Sequence, residues 1–322
     1  MTTNVDISII IPAKNGEKYL KETLTRVLSQ ETLGKSIEII VIDSGSTDQS
    51  INIIKSFPEI KLIQIKAEEF GHGKTRNLGA SFSKGKYLVF LNQDAWPSDR
   101  FWLINLIRPL ESNPAIAGAI SRHIPRRDCF LYIEREICES FTDIGQLRTK
   151  SDLLNAMNDV KDFKRKKLND ATRFSTVSCA IKREIWQEVQ FVNDIPVAED
   201  QDWAKRAIMN GYSILYEPSS IVIHSHNSKL ATFFTINDVS IMVYDKILER
   251  KRNYLLSAFP ILIFSIISDS FHDISYIISS NRSHTKKALS IIEAILARII
   301  INLGRFISAI KLGLIMKSGK QQ

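Results

Sequence analysis

The first 120 residues alternate between two patterns of apolar residues. Unbroken apolar runs occur at 7–12 (ISIIIP), 37–43 (IEIIVID), 60–65 (IKLIQI) and 86–94 (KYLVFLNQD). Between them the apolar residues fall at helical spacing: Leu20, Leu24, Val27 and Leu28 within 17–30, the segment STDQSINIIKSF opening on a capping serine, and a third segment at 74–84. Continuous apolar strands alternating with helices predict parallel βαβ units covered by helices on both faces. The expected fold class is therefore α/β with a mostly parallel central sheet and flanking helices. No internal repeat is evident.

From about 121 to 170 the pattern weakens and charge rises, which predicts an insertion built of helices rather than core strands. Regular pattern returns at 174–186 (FSTVSCAIKREIW), 197–212 (VAEDQDWAKRAIMNGY) and 214–226 (ILYEPSSIVIHSH), the last read as a strand, a turn at Glu217-Pro218 and a second strand. After 250 the composition turns apolar. The run at 254–268 (YLLSAFPILIFSIIS) contains Pro260 and meets Asp269 after 15 residues, short of the roughly 20 that a spanning helix needs. Residues 285–316 form a longer helical pattern in which Lys287, Arg298 and Arg305 fall near one face. The predicted organisation is a main domain over 1–245, with 121–170 as an acceptor-side insertion, and a helical region over 246–322.

Charge sharpens that division. The net charge is +8, and Asp245–Gln322 holds 12 Lys/Arg against 5 Asp/Glu, or +7 of it. A basic and strongly apolar tail predicts an in-plane helix pair on an anionic membrane surface. A hairpin packed on the main domain and a re-entrant segment are the other readings. Nucleic acid is not expected as a partner, since the tail's aromatic residues do not interleave with its cations as a stacking platform would. Three cysteines without a CxxC pair point to a reducing compartment and away from thiolate metal sites. The N-terminus MTTNVDISIIIP does not read as a secretory leader. The expected location is peripheral, on the cytoplasmic side of the cell membrane.

Ligands of open parallel sheets bind beyond the carboxyl ends of the strands. Four successive strand ends here are polar and turn-rich: Pro12-Ala13-Lys14-Asn15-Gly16, Asp43-Ser44-Gly45-Ser46-Thr47-Asp48, the stretch Glu68–Ala80 (EEFGHGKTRNLGA), and Asn92-Gln93-Asp94-Ala95. No GxGxxG follows the first strand and no GxxxxGK[ST] occurs, so dinucleotide binding of the Rossmann kind and P-loop hydrolysis are poorly supported.

Five stretches, SIIIPAKNGEKYL, EIIVIDSGSTDQS, FGHGKTRNLGA, YLVFLNQDAWP and EDQDWAKRAIMNGY, occur in that order. Together they resemble a family 2 glycosyltransferase with the GT-A (nucleotide-diphospho-sugar transferase) fold. The forms FGHGKTRN and NQDA resemble its rhamnosyltransferase-like branch. The resemblance covers roughly residues 5 to 227, and covers the insertion and the tail less well.

The resemblance implies a metal-dependent, inverting hexosyltransferase. Asp43 would accept from a pyrimidine base N–H, although DSGSTD would equally serve as a turn or cap. Pro12 and Asn15 would line the base and ribose. Gly71 and Gly73 would let the backbone approach the ligand, with Arg76 forking onto phosphate or donor hydroxyls and Asn77 adding an amide contact. Lys74 would add charge near the diphosphate or face water, and His72 would touch the sugar or only order the loop.

Gln93 and Asp94 complete the donor site. Similar enzymes carry Asp-x-Asp where this chain has Asn92-Gln93-Asp94, so one carboxylate is replaced by an amide. Mg²⁺ commonly binds through one or two carboxylates plus phosphates and water, so Asp94 remains the expected ligand of a divalent cation, Mg²⁺ or Mn²⁺. His224 is the expected second ligand, with His226 as the alternative. Asp200 takes the role of general base; Asp202 is the alternative base or a partner for Lys205 or Arg206, and the acids there could also serve a helix N-terminus.

The donor implied is dTDP-rhamnose, or else a UDP-hexose, and the acceptor a lipid-linked or cell-surface glycan precursor. The absence of QxxRW suggests single additions rather than processive polymerisation. Two rivals stand beside this reading: a non-catalytic nucleotide-sugar-binding scaffold, kept open by Asn92, and a sugar nucleotidyltransferase, whose glycine-rich loop with Arg and Lys is missing after Ile11.

Overall fold

Strand β1 (Ile7–Ala13) is buried along nearly its whole length, so it needs cover on both faces. It lies between β2 (Ile37–Asp43) and β4 (Tyr87–Leu91), parallel to both, and β3 (Ile60–Gln64) extends the parallel half beyond β2. The computed structural model describes residues 5–159, 166–227, 247 and 258–317. Residues 228–246, at the domain boundary expected from composition, and 254–257 of the apolar run lie outside the described residues.

The rest of the sheet corrects the expectation of a mostly parallel one. Strand β8 (Ser178–Lys182) joins β4 antiparallel, and β6 (Ile116–Ile124) joins β8 antiparallel. Strand β9 (Ser213–Ile223) then runs parallel to β6, while the short β5 (Trp96–Pro97) and β7 (Gln146–Arg148) pair with β9 antiparallel. The nine-stranded sheet is mixed, in the order β3-β2-β1-β4-β8-β6-β9-β5 with β7 also on β9. Buried apolar runs look alike in parallel and antiparallel strands when helices cover both faces, which is why pattern alone misjudged this half.

Side chains alternate across the strands, and the two faces carry different cover. Ile7, Ile9 and Ile11 share a core with Leu20, Leu24 and Val27 of α1 (Leu20–Leu28), Ile54 of α2 (Ser50–Lys55), and Leu103, Leu106 and Ile107 of α4 (Trp102–Ser112). On the opposite face Ile10 and Ile42 meet α3 (His72–Phe82). A Cβ on Gly79 would stand 2.4 Å from Ile10 Cγ2, so only glycine lets this helix lie so close to the sheet. Phe90 and Phe191 pack edge to face at 5.3 Å on that side.

The insertion is partly as expected. It contains helices α6 (Lys150–Asn158) and α7 (Lys166–Ala171), yet Ser121–Ile124 belongs to β6 and β7 adds an edge strand. The turn expected at Glu217-Pro218 is a bulge inside one strand. Pairing steps from Ser121↔Glu217 to Arg122↔Ile221, leaving Pro218–Ser220 unpaired. Ser220 turns inward there, where its Oγ donates to the Trp102 carbonyl (3.0 Å) and meets Ser121 Oγ (2.8 Å). Such a bulge re-aims the strand end, and this one carries the chain on to His224. Helices α8 (Arg183–Glu188) and α9 (Glu199–Met209) complete this part.

Packing divides the chain into two units, Met1–Ile124 with Phe141–His224, and Pro125–Ser140 with Ser225–Gln322. The division read from composition, at 245/246, differs: packing draws the line after His224 and takes Pro125–Ser140 out of the insertion. The second unit contains α5 (Leu131–Ser140), α10 (Ala258–Ser279) and α11 (His284–Lys317). Its small core joins Leu131, Tyr132, Ile277, Ala294, Ala297 and Ile301. Asp273 is fully buried beside it and accepts from Arg135 Nε (2.6 Å) and Arg298 Nε (2.6 Å). Arg298 also donates to Glu136 (2.6 Å). The basic face expected from Lys287, Arg298 and Arg305 therefore does not form as read: Arg298 is buried in an ion-pair cluster.

Candidate active site

The first two strand ends are tied to each other. Asn15, in the left-handed region at φ 47, accepts from Thr47 N through its amide oxygen (2.9 Å), and its own N–H donates to Ser46 Oγ (2.9 Å). Asparagine tolerates that conformation better than most residues. Asp43 is fully buried, and its carboxylate accepts from Gly45 N (3.1 Å), Ser46 N (3.0 Å) and the Ser46 hydroxyl. The turn reading of Asp43 thus describes three of its contacts, while an ionised carboxylate has about four acceptor sites. The predicted capping serine, Ser46, serves this turn instead. Helix α2 begins at Ser50, whose N–H donates to Asp48 (2.9 Å). Pro12 is half-buried within β1, opposite Ile42.

Gln93 differs from its expected donor contact. Its side-chain amide takes both backbone groups of Lys14, accepting from N (3.0 Å) and donating to O (2.9 Å). That closes the loop after β4 onto the loop after β1.

The glycine-rich stretch also turns out to be internal machinery. A Cβ on Gly73 would lie 2.3 Å from the Val192 carbonyl oxygen, so the close approach there is to the chain's own backbone. Asn77 is saturated: its Nδ2 donates to Phe191 O (2.7 Å) and Asn193 Oδ1 (3.0 Å), and its Oδ1 accepts from Trp186 Nε1 (3.0 Å) and Phe191 N (3.2 Å). It clamps α3 to the segment around 191 in place of the amide contact expected with a donor. Lys74 and His72 are exposed, and the His72 ring meets Phe70 edge-on at 5.1 Å.

Arg76 is the largest departure from the sequence reading. It is only 4% exposed, and it does not fork onto open space. Its Nη1 donates to Glu199 Oε1 (2.9 Å) and to the His72 carbonyl (3.0 Å), and its Nη2 donates to Asn92 Oδ1 (3.0 Å). This accounts for the amide at 92. With Glu199 already neutralising the guanidinium, the second acceptor on it is uncharged. Asn92 stands two residues before Asp94 and Glu199 one residue before Asp200, so one buried cation ties the end of β4 to the head of α9.

Asp200 is oriented at both oxygens, accepting from Thr176 N (3.2 Å) and Gln201 N (2.8 Å). Its carboxyl is pushed up to about 7, first by burial and then by the neighbouring Glu199 charge, with Arg76 opposing. Ala198, the residue before this helix, is held at φ 62. That conformation is costly for alanine and typical of strained functional positions. Asp202 faces elsewhere: its Oδ2 accepts from Arg206 Nε (2.7 Å), the helical ion pair that was the alternative reading. Sequence reasoning missed Glu199 and Thr176. Glu199 is 4% exposed and accepts from Thr176 Oγ1 (3.2 Å) as well as from Arg76. A glutamate heading a helix gives no local sign of such burial.

At the ends of β4 and β9, His224 Nε2 lies 3.6 Å from Asp94 Oδ1. His226, the alternative ligand, belongs to the second unit. The boundary between the units falls just after His224, so the pair inside the first unit, Asp94 and His224, carries the argument. A carboxylate oxygen beside an imidazole nitrogen is a donor set that fits a divalent cation such as Mn²⁺.

A mixed sheet of this order, with Asp43 at the end of β2, Asp94 just after β4 and Asp200 at the head of α9, defines an α/β fold of the GT-A class. Among solved structures, the mannosyltransferase PcManGT from Pyrobaculum calidifontis, in complex with GDP-Man and Mn²⁺, superposes with a TM-score of 0.58 at 18% identity, over 98% of this chain and 89% of that one. Glucosyl-3-phosphoglycerate synthase from Mycobacterium tuberculosis, in complex with Mn²⁺, UDP and phosphoglyceric acid, does so with a TM-score of 0.54 at 18% identity, over 76% and 78%. The model of glycosyl transferase family 2 matches residues 8–184. The chain belongs to that family. It is 29% identical over 232 residues to the O-antigen chain rhamnosyltransferase RfbN of Salmonella typhimurium, covering 69% of this chain and 67% of RfbN. It is 30% identical over 201 residues to WbaN of Salmonella anatum, covering 62% of this chain and 59% of WbaN.

Proposed function

We propose that the chain is an inverting glycosyltransferase that moves rhamnose from dTDP-rhamnose to a hydroxyl of a lipid-linked or cell-surface glycan precursor. A UDP-hexose is the second choice of donor. The observation that carries the reading is the Arg76 bridge, which holds the strand end bearing Asp94 and the helix end bearing Asp200 on one buried cation. Rhamnose and the glycan acceptor are supported by the names of the two Salmonella relatives.

Asp94 and His224 would hold a divalent cation, which when bound supplies positive charge to the departing diphosphate. The acceptor hydroxyl oxygen attacks the anomeric carbon, the bond from that carbon to the diphosphate oxygen breaks, and Asp200 takes the hydroxyl proton. A carboxyl poised near neutral pH is suited to that task. The amide at 92, which kept a non-catalytic scaffold in play, now has its own role as an acceptor for Arg76.

The test is thermal stabilisation by thymidine, uridine and guanosine diphosphate sugars, each with and without Mn²⁺, alongside transfer assays on Asp200→Asn. The expected result is stabilisation by dTDP-rhamnose that depends on Mn²⁺, with donor binding kept and transfer lost in the variant. Preference for guanosine compounds, or indifference to the metal, contradicts the donor assignment. Full transfer by Asp200→Asn contradicts the mechanism.

A further inference from the structure

The second unit combines buried charge with exposed apolar residues. Beside its small apolar core it holds Asp273 at 0% exposure with Arg298 at 2%, while other large apolar side chains of its helices are exposed. On α10 Phe264, Ile267 and Phe271 are 60%, 65% and 69% exposed, and on α11 Leu289, Ile292 and Leu296 are 59%, 56% and 49% exposed. Both trios follow the same spacing of three and then four residues, so each forms one stripe along its helix. The α11 stripe continues through Leu303 and Ile307. Exposed Lys286, three residues before Leu289, and exposed Lys311, four after Ile307, stand at its two ends. Contiguous exposed apolar surface of this kind marks an interaction site.

We propose that the α11 stripe is a docking surface for an anionic lipid bilayer, with α11 lying in the plane of the headgroups. Charge selects this occupant over a second copy of the chain. The region from 245 onward carries +7, so apposing two copies would set like charges together, whereas anionic lipid neutralises them. Among the described residues no helix is long and apolar enough to cross a membrane, and shallow in-plane burial of an apolar face is the mode open to such helices. The buried Arg135–Asp273–Arg298 cluster ties α11 to α5 and α10, so the stripe is presented on a braced helix.

The experiment is co-sedimentation of the full chain, without donor, with phosphatidylcholine vesicles that contain roughly 30% phosphatidylglycerol or none. Binding should be at least about tenfold stronger to the anionic vesicles, and should fall by about tenfold or more in Ile292→Asp/Leu296→Asp. Both sites are exposed, so the variant should keep its circular dichroism and melting midpoint. Lys286→Glu/Lys311→Glu should narrow the preference for anionic lipid while leaving the fold unchanged. Equal binding by the aspartate variant, or no binding by the unmodified chain, overturns the proposal. So does a dimer in solution that the aspartate variant dissolves while vesicle binding is unaffected, since a second copy would then be the occupant. No donor is present, so these outcomes are separate from those that test the transferase reading.

Discussion

Replacing Arg76 with methionine tests the central bridge. Methionine keeps much of the side-chain volume, so the cavity left behind is small and the charge is what changes. The arginine and its partner Glu199 are 5% and 6% exposed at the side chain and 2.9 Å apart. Removing one member of a buried pair leaves an uncompensated charge and costs about 3–5 kcal/mol. Asn92 Oδ1 and the His72 carbonyl also lose their donor. We expect urea denaturation to show a loss of that size at neutral pH. Replacing both partners, Arg76→Met with Glu199→Gln, should recover a large part of it, because no unpaired charge then remains. The same substitution has a second readout. Arg76 lowers the proton affinity of Asp200 and Glu199 raises it. The rising limb of the activity profile should therefore move to higher pH in Arg76→Met and to lower pH in Glu199→Gln. A loss under about 1 kcal/mol in the single variant, or a double variant less stable than Arg76→Met alone, would refute the claim that this cation holds the site together.

Other outcomes follow from the same geometry. Asp200 has a folded-state value near 7, above the ordinary carboxylate range, so its contribution to stability is full below about pH 4. That contribution is lost as the pH rises through 7. In the absence of donor, Asp200→Asn should flatten this dependence and melt higher than the unmodified chain at pH 8; a variant with an unchanged pH slope would show that Asp200 is not the titrating group. Gly73→Ala drives a methyl to 2.3 Å from the Val192 carbonyl oxygen, and chemical denaturation should show a loss of about 1–3 kcal/mol; a neutral result would mean the loop yields freely. Asp94→Ala and His224→Ala should each abolish the Mn²⁺-dependent part of donor stabilisation, read by thermal melting with and without chelator. Persistence of the full metal effect in Asp94→Ala would remove that carboxylate from the metal site.

Much of this molecule was legible in the chain before any fold was known. The runs at 7–12, 37–43, 60–65 and 86–94 are strands, with helices between them, and the acids at 43, 94 and 200 lie at strand and helix ends as expected. Hydrophobic periodicity is a local property, and a strand or helix declares itself within a few residues. The mixed direction of the sheet was not legible, because a strand buried on both faces looks the same whichever way its neighbour runs.

The polar partners were not legible either, and tertiary structure alone decided them. Arg76, Asn77 and Gln93 are residue types that suit a phosphate or a sugar, and the sequence offers no reason to assign them otherwise. In the fold, Arg76 meets a glutamate 123 positions away, Asn77 a carbonyl 114 away, and Gln93 a backbone 79 away. Arg298, one of the cations marked for a basic face, is neutralised by Asp273 and Glu136. A buried polar group must find a partner wherever the packed chain supplies one. That choice depends on which distant segments the core brings together, so composition and spacing determined the elements and the chemistry on offer. Packing determined which of those side chains hold the protein and which remain to hold a ligand.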